Sequence, residues 1–455
     1  MGTVTSRIVV PFHGEGTGEA ELTWGQQGIW LTMARTGRTM NIGGAMPLPA
    51  GTPLSEMTTL LSYIVSRHQA LRTRLRLRPD GPPRQVVSGS GEIALDVVDI
   101  GPGDDADTAA EELRTRYEFT PFDYPVEWPV RMGVIRRDGG LTHLVVQYCH
   151  LAVDGLGIDA VARDLAHLDP ATGQGTAPVS GLTPLELAAR QASPAGQRQS
   201  AKALRYWEEV MRTIPAQRLG TSDDPREPRF WDVIRRSPAL HLASRAVAHR
   251  TRREVGHVLL AAYAVALARQ TGITTSVAQV LVSNRFRPGC ADSVTQLTQP
   301  SIVAIDVADT TIDEVVRRAW KAATNAYVHG YFDTYAHGEL MARLTAERGA
   351  FDISAFVNDR RGDRAPTAEP PTREEIEAAV PRATTWVLRK LDTFDGVLYV
   401  TFDSAPDAID IDICADTRRL GPAGIEALAR EIEAVAVEAA VDADAPTRVG
   451  APVRI

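Results

Sequence analysis

The sequence predicts an α/β protein built as two lobes of similar size. Three observations carry this. At 455 residues the chain is too long for one ordinary core. Each half interleaves helical and strand-like apolar patterns, with no short-period repeat. Between the halves, Asp169 to Pro184 is rich in Pro, Gly, Ala, Ser and Thr and has no periodicity. The lobes are therefore expected at residues 1–175 and 176–455.

The elements follow in order. Leu22 to Leu75 reads as helices, with Met57, Leu60, Leu61, Ile64 and Val65 near helical spacing. Gln85 to Val87 and Ile93 to Val98 read as short strands, and Glu111 to Tyr117 as a helix. Val130 to Ile135 and Leu141 to Tyr148 are strands, the second apolar enough to be buried on both faces. Ile158, Val161, Leu165 and Leu168 fall on one helical face. Past the break, Leu185 to Met211, Ser244 to Val247, Val255 to Gln270, Ile312 to Asn325 and Gly424 to Ala440 read as helices. Val277 to Ser283, Phe351 to Val357, Trp386 to Leu391, Val397 to Asp403 and Ile409 to Cys414 read as strands, with a polar loop at Arg360 to Pro371.

Composition removes several function classes. Hydrophobic residues are 44% and charged residues 23%, which argues against a disordered or fibrous chain. A net charge of −8 without a basic face argues against nucleic-acid binding. The apolar run Val258 to Ala268 is too short to span a bilayer, so no membrane role is expected. Cys149, Cys290 and Cys414 lie far apart, with no zinc or redox spacing, and a reducing cytoplasm is the expected location. Gly14, Gly16 and Gly18 follow an apolar run, but Glu19 stands where a dinucleotide fingerprint needs its third glycine. No P-loop, zinc-protease or serine-hydrolase motif occurs, and Ala45 after Gly43-Gly44 leaves no serine to carry a phosphopantetheine arm.

One stretch carries chemistry. Leu144 to Cys149 ends a buried strand, His150 follows, and Asp154-Gly155 opens a helix. The strand end fixes the imidazole's backbone, and the helix start offers unpaired N–H groups and a positive dipole end. Asp154 can cap that helix or pair with an arginine. Taken alone, His150 reads first as a satisfied core histidine, and only its company with Asp154 and Gly155 points further.

The stretch Cys149-His150-Leu-Ala-Val-Asp154-Gly155 resembles the HHxxxDG signature of the condensation-domain superfamily. Further motifs appear in the family's order: Leu22 to Trp30, Arg67-His68-Gln69-Ala70-Leu71-Arg72-Thr73, Pro121-Phe122-Asp123 with Pro129 and Arg131, Tyr206-Trp207, Ala261 to Tyr263 leading into Ala268 to Gly272, and Asn284-Arg285. The resemblance implies two chloramphenicol-acetyltransferase-like lobes in a V-shaped pseudo-dimer, with the motif loop on an interface tunnel.

It also implies acyl transfer, with the second motif histidine, His150, as the functional imidazole. Cys149 stands in place of the first. Adjacent strand residues point to opposite faces, so Cys149 is read as an inert buried thiol rather than a nucleophile served by His150. Asp154 is expected to pair structurally with Arg285, Gly155 to allow close approach and offer an N–H to an oxyanion, and Asn358 to bind substrate. The implied protein is a free-standing condensation enzyme without bound cofactor or metal, monomeric as the family usually is. An acyl or peptidyl carrier protein would supply the phosphopantetheine-tethered donor in trans, and a small-molecule amine or alcohol would accept it, giving an amide or ester in a specialised metabolite. The alternatives are a coenzyme A-dependent acyltransferase and a degenerate, non-catalytic recruitment domain.

Overall fold

The computed structural model describes residues 4–215, 219–222, 224–362 and 369–450. In chain order the elements are β1 (Ser6–His13), β2 (Gly18–Glu21), α1 (Trp24–Thr36), β3 (Asn41–Pro47), α2 (Leu54–Arg67), β4 (Thr73–Arg76), β5 (Arg84–Val87), β6 (Ser90–Ile100), α3 (Ala106–Phe119), β7 (Val130–Arg137), β8 (Gly140–Cys149), α4 (Gly155–Asp164), α5 (Pro184–Ala192) and α6 (Pro194–Thr213). They continue as β9 (Phe230–Ser237), α7 (Pro238–Thr251), α8 (Val255–Thr271), β10 (Thr275–Val282), β11 (Gln299–Asp306), α9 (Ile312–His329), α10 (Thr334–Arg348), β12 (Ala355–Asp359), α11 (Arg373–Ala379), β13 (Thr384–Leu391), β14 (Leu398–Ala405), β15 (Ala408–Asp416) and α12 (Pro422–Val441).

Two compact units result. The first holds Met1–Ser200, Ser283–Gln299 and Asp333–Tyr335; the second holds the rest. The chain thus leaves the first unit inside α6, after Ser200, and not at residue 175. The composition break at 169–184 is a surface connection within the first unit, where Leu182 N–H donates to Gly289 O at 2.8 Å.

The first unit's main sheet runs β1-β6-β7-β8-β3. Met57, Leu61, Ile64 and Val65 of α2 and Ala160 and Val161 of α4 cover one face. Ala109, Ala110, Leu113 and Tyr117 of α3 cover the other. Strand β8 is consequently buried on both sides, and its run of apolar side chains needs no alternation. A second sheet, β2-β5-β4, is braced by Arg72. Its buried guanidinium donates to the carbonyls of Gly16, Glu15 and Ser88, so the glycine-rich turn wraps an arginine rather than a phosphate. The second unit's sheet runs β11-β10-β12-β14-β15-β9-β13, with α7, α8, α9 and α12 packed on one face.

Several elements differ from expectation. The helical reading of Leu22 to Leu75 is interrupted by β3, which pairs with β8 from Asn41 opposite Cys149 to Pro47 opposite His143. Tertiary pairing overrides its Gly43-Gly44 pair, a poor strand former. The single helix expected over Leu185 to Met211 is two, because Pro194 starts α6 and cannot continue α5. Strands β1, β2, β9 and β11 and helices α10 and α11 have no counterpart among the elements read from the sequence. Of the loop read at 360–371, residues 363–368 lie outside the described residues.

Arg72 supplies the first test. Replacing Arg72 with Lys keeps the charge but cannot reach three carbonyls in a fork. Each orphaned carbonyl costs about 1–3 kcal/mol. Denaturant unfolding should show Arg72→Lys destabilised by at least that amount.

Candidate active site

Strand β8 delivers the chain to the site. Cys149, its last residue, is 1% exposed and packs with Leu22, Met33, Leu75, Phe122 and Leu151. Burial pushes its thiol up to about 12, so it holds its proton at neutral pH. His150 comes next, outside the strand, with its N–H donating to Met40 O at 3.0 Å. It retains some accessible surface. Cys149 and His150 therefore do not form a nucleophile–base pair.

The His150 ring is held by its own loop. Nδ1 lies 2.9 Å from Val153 O. A carbonyl can only accept, so Nδ1 carries the hydrogen and, in the neutral ring, Nε2 carries the lone pair. No hydrogen bond is made to Nε2 among the described residues. Burial lowers the imidazole's pKa below the ordinary 6.5, against opposite contributions from the Asp154 charge and the Val153 carbonyl. At neutral pH the ring is therefore uncharged, and Nε2 is left without a hydrogen bond among the described residues.

Asp154 fixes the loop. It is the N-cap of α4 and 2% exposed. Oδ1 accepts from Gly157 N–H at 2.8 Å and from Arg285 Nη2 at 2.5 Å. Oδ2 accepts from the N–H groups of Leu297 and Thr298, each at 3.0 Å, and from Thr298 Oγ1 at 2.9 Å. A carboxylate so fully occupied has no free lone pair for proton transfer and acts as a clamp. Arg285, its side chain 9% exposed, donates from Nη1 to Ser293 O at 2.7 Å. Asn284 takes left-handed backbone (φ 59°), and its side-chain amide donates to Leu297 O at 3.1 Å. The segment Ser283–Gln299 is thereby tied to the helix that follows His150.

Gly155 of the motif and Gly157 just beyond it have different reasons. A Cβ added at Gly155 meets nothing within 4 Å, so the protein's own packing does not demand glycine there; the space beside it is open. Gly157 is the crowded one. A Cβ there would lie 2.4 Å from Val153 Cγ2 and 3.2 Å from both Arg285 Nη2 and Asp154 Oδ1. Sequence reasoning passed over Gly157, although a glycine in a helix's first turn carries a propensity cost that asks for a steric reason.

The remaining motif residues are structural. Arg67 forks onto Asp164 at 2.6 and 2.7 Å, and His68 Nε2 lies 3.3 Å from the same carboxylate. Arg131 covers the Phe122 ring at 4.0 Å and donates to Thr120 O and Pro121 O. Trp207 is fully buried, edge-on to Phe332 and His337. Asn358 sits on β12 of the second unit, where its amide reaches Tyr399 OH at 3.4 Å. No cluster of His, Cys, Asp and Glu suited to a metal occurs among the described residues. No described helix is long and apolar enough to cross a membrane.

The chain belongs to the condensation-domain family, whose model, Condensation domain, matches residues 17–370. Curated relatives include the nonribosomal peptide synthetase kk1B of Curvularia clavata, 27% identical over 335 residues, and the enniatin synthase of Fusarium equiseti, 27% identical over 289. These matches cover 69% and 60% of this chain but only 2% and 9% of those proteins. Among solved structures, SgcC5 from Streptomyces globisporus matches with a TM-score of 0.70 at 21% identity, covering 94% of this chain and all of that one. The X-domain from teicoplanin biosynthesis matches at 0.73 and 19% identity, covering 97% and 99%. The fold is thus the condensation-domain, chloramphenicol-acetyltransferase-like one.

Two tests follow from the clamp and the glycines. Removing one partner of a buried ion pair costs about 3–5 kcal/mol. Asp154→Ala and Arg285→Ala should each lose stability on that scale, and the double variant should lose less than the sum, by about 1 kcal/mol or more. Gly157→Ala should be destabilised through its contact with Val153, whereas Gly155→Ala should unfold with the wild type; thermal denaturation distinguishes them.

Proposed function

We propose that this chain transfers an acyl or aminoacyl group from a carrier-protein thioester to an amine or hydroxyl acceptor, with His150 Nε2 as the base. The observation that supports it is the His150 tautomer: Nδ1–H is committed to Val153 O, and Nε2 is left as an unpaired acceptor. The family's general chemistry, acyl or peptidyl transfer, fits that arrangement.

The acceptor nitrogen or oxygen attacks the thioester carbonyl carbon. Its proton passes to Nε2, the C–S bond breaks, and the proton returns to the departing thiolate. Open space beside Gly155 lets a carbonyl approach the start of α4, where backbone N–H groups favour developing negative charge. Asp154 and Arg285 are positioning residues that keep the loop in this conformation. The carrier arm is substrate, and the reaction needs no resident cofactor.

Base catalysis of this kind supplies about 10²–10⁴-fold. An alcohol depends on it more than an amine, which is substantially neutral near pH 8. His150→Ala should therefore slow ester formation by that range and amide formation by less, with KM little changed. Cys149→Ala should leave kcat within a few-fold. The wild-type rate should hold as pH falls to the ordinary imidazole pKa and drop only below it, because the folded-state pKa is lowered. Assays with carrier-bound and coenzyme A-bound donors decide the donor. Equal use of coenzyme A thioesters would make the chain a coenzyme A-dependent acyltransferase. Carrier binding without turnover on amines or alcohols would make it a recruitment domain.

A further inference from the structure

A carboxyl pair in the second unit takes no part in the chemistry assigned to His150. On β15, Ile409, Ile411 and Ile413 enter the helix-covered core, so Asp410, Asp412 and Cys414 alternate onto the opposite face of the sheet. On β9, Val233 enters the same core and Asp232 takes that opposite face. Cys414 stands opposite Asp232 and Asp412 opposite Ile234, which makes Asp232 and Asp412 diagonal neighbours within hydrogen-bond reach.

Asp232 is 1% exposed. Its Oδ2 accepts from Arg389 Nε on β13 at 2.7 Å. Its Oδ1 is buried and has no hydrogen-bond partner among the described residues. A buried carboxylate oxygen without a donor is costly. A neighbouring group able to supply one is the Asp412 carboxyl in its protonated form.

Two arginines near the pair have carboxylate partners of their own. Arg360, just after β12, forks onto Asp403 of β14 at 3.0 and 2.6 Å. Arg236 of β9 forks onto Asp410 at 2.8 and 2.7 Å. Tyr399 of β14 is held neutral by burial, pushed up to about 12. Arg389 balances one negative charge, and two adjacent carboxyls cannot both ionise cheaply.

We propose that Asp232 and Asp412 hold a single proton between them, and that this proton is a pH-sensitive latch joining β9 to β15. Burial, then the hydrogen bond and charge of Asp232, push the Asp412 carboxyl far above the carboxylate range. The folded protein therefore keeps a proton that the unfolded chain has released. The latch's stabilisation is complete below the ordinary carboxyl range and is lost as pH rises through the elevated value.

Asp412→Asn puts a permanent donor beside Asp232 Oδ1, whatever the pH. Thermal unfolding of both proteins from about pH 5 to about pH 9 tests the latch. The Tm of Asp412→Asn relative to wild type should rise steadily with pH and then level off. A difference independent of pH would overturn the proposal. A second measurement needs no variant. In wild-type protein carrying 13C-carboxyl aspartate, one aspartate should titrate far above the others, and its absence would overturn the proposal equally.

Discussion

The Asp154 carboxylate is the constraint on which the geometry of the His150 turn depends. Gly157 N–H, Arg285 Nη2, Leu297 N–H, Thr298 N–H and Thr298 Oγ1 converge on it. A buried charge left unpaired would be strongly destabilising, so this density of donors is what permits an aspartate in such a place. Its consequence is geometric. One carboxylate starts α4, locks the turn that begins with His150, and fastens a segment more than a hundred residues downstream to that turn. Gly157 belongs to the same constraint, since any side chain there would press on Val153 and on the ion pair itself.

With the turn locked, Val153 O lies where His150 Nδ1 must donate to it, and the tautomer follows. Position 149 takes no part in this arrangement. The last residue of β8 points into the cluster of Leu22, Met33, Phe122 and Leu151, away from the ring, so it has no hydrogen bond to offer His150. The imidazole draws its orientation from the loop after it, not from the residue before it.

Much of this was legible in the sequence, for physical reasons. Strand β8 is buried on both faces, so its apolar run announced it. An Asp-Gly pair before helical spacing announced the start of α4. Other features left no local trace. Strand β3 contains Gly43, Gly44 and Pro47, and only pairing with β8 makes it a strand. The assignment of Ser283–Gln299 to the first unit depends on bonds to Asp154 that no local pattern encodes. The loose composition at 169–184 marked a loop, but loops occur within compact units as well as between them. The Asp232–Asp412 pair shows the same limit, because neither aspartate stands out until the register of β9 and β15 sets them side by side.

The tautomer of one ring is the most direct test of the account. Nitrogen-15 NMR of the imidazoles, with His150 assigned by its loss in a His150 variant, reports which nitrogen carries hydrogen. The expected spectrum is that of a neutral ring at neutral pH, protonated on Nδ1 and bare on Nε2. A ring protonated on Nε2, or one already cationic at neutral pH, would contradict it.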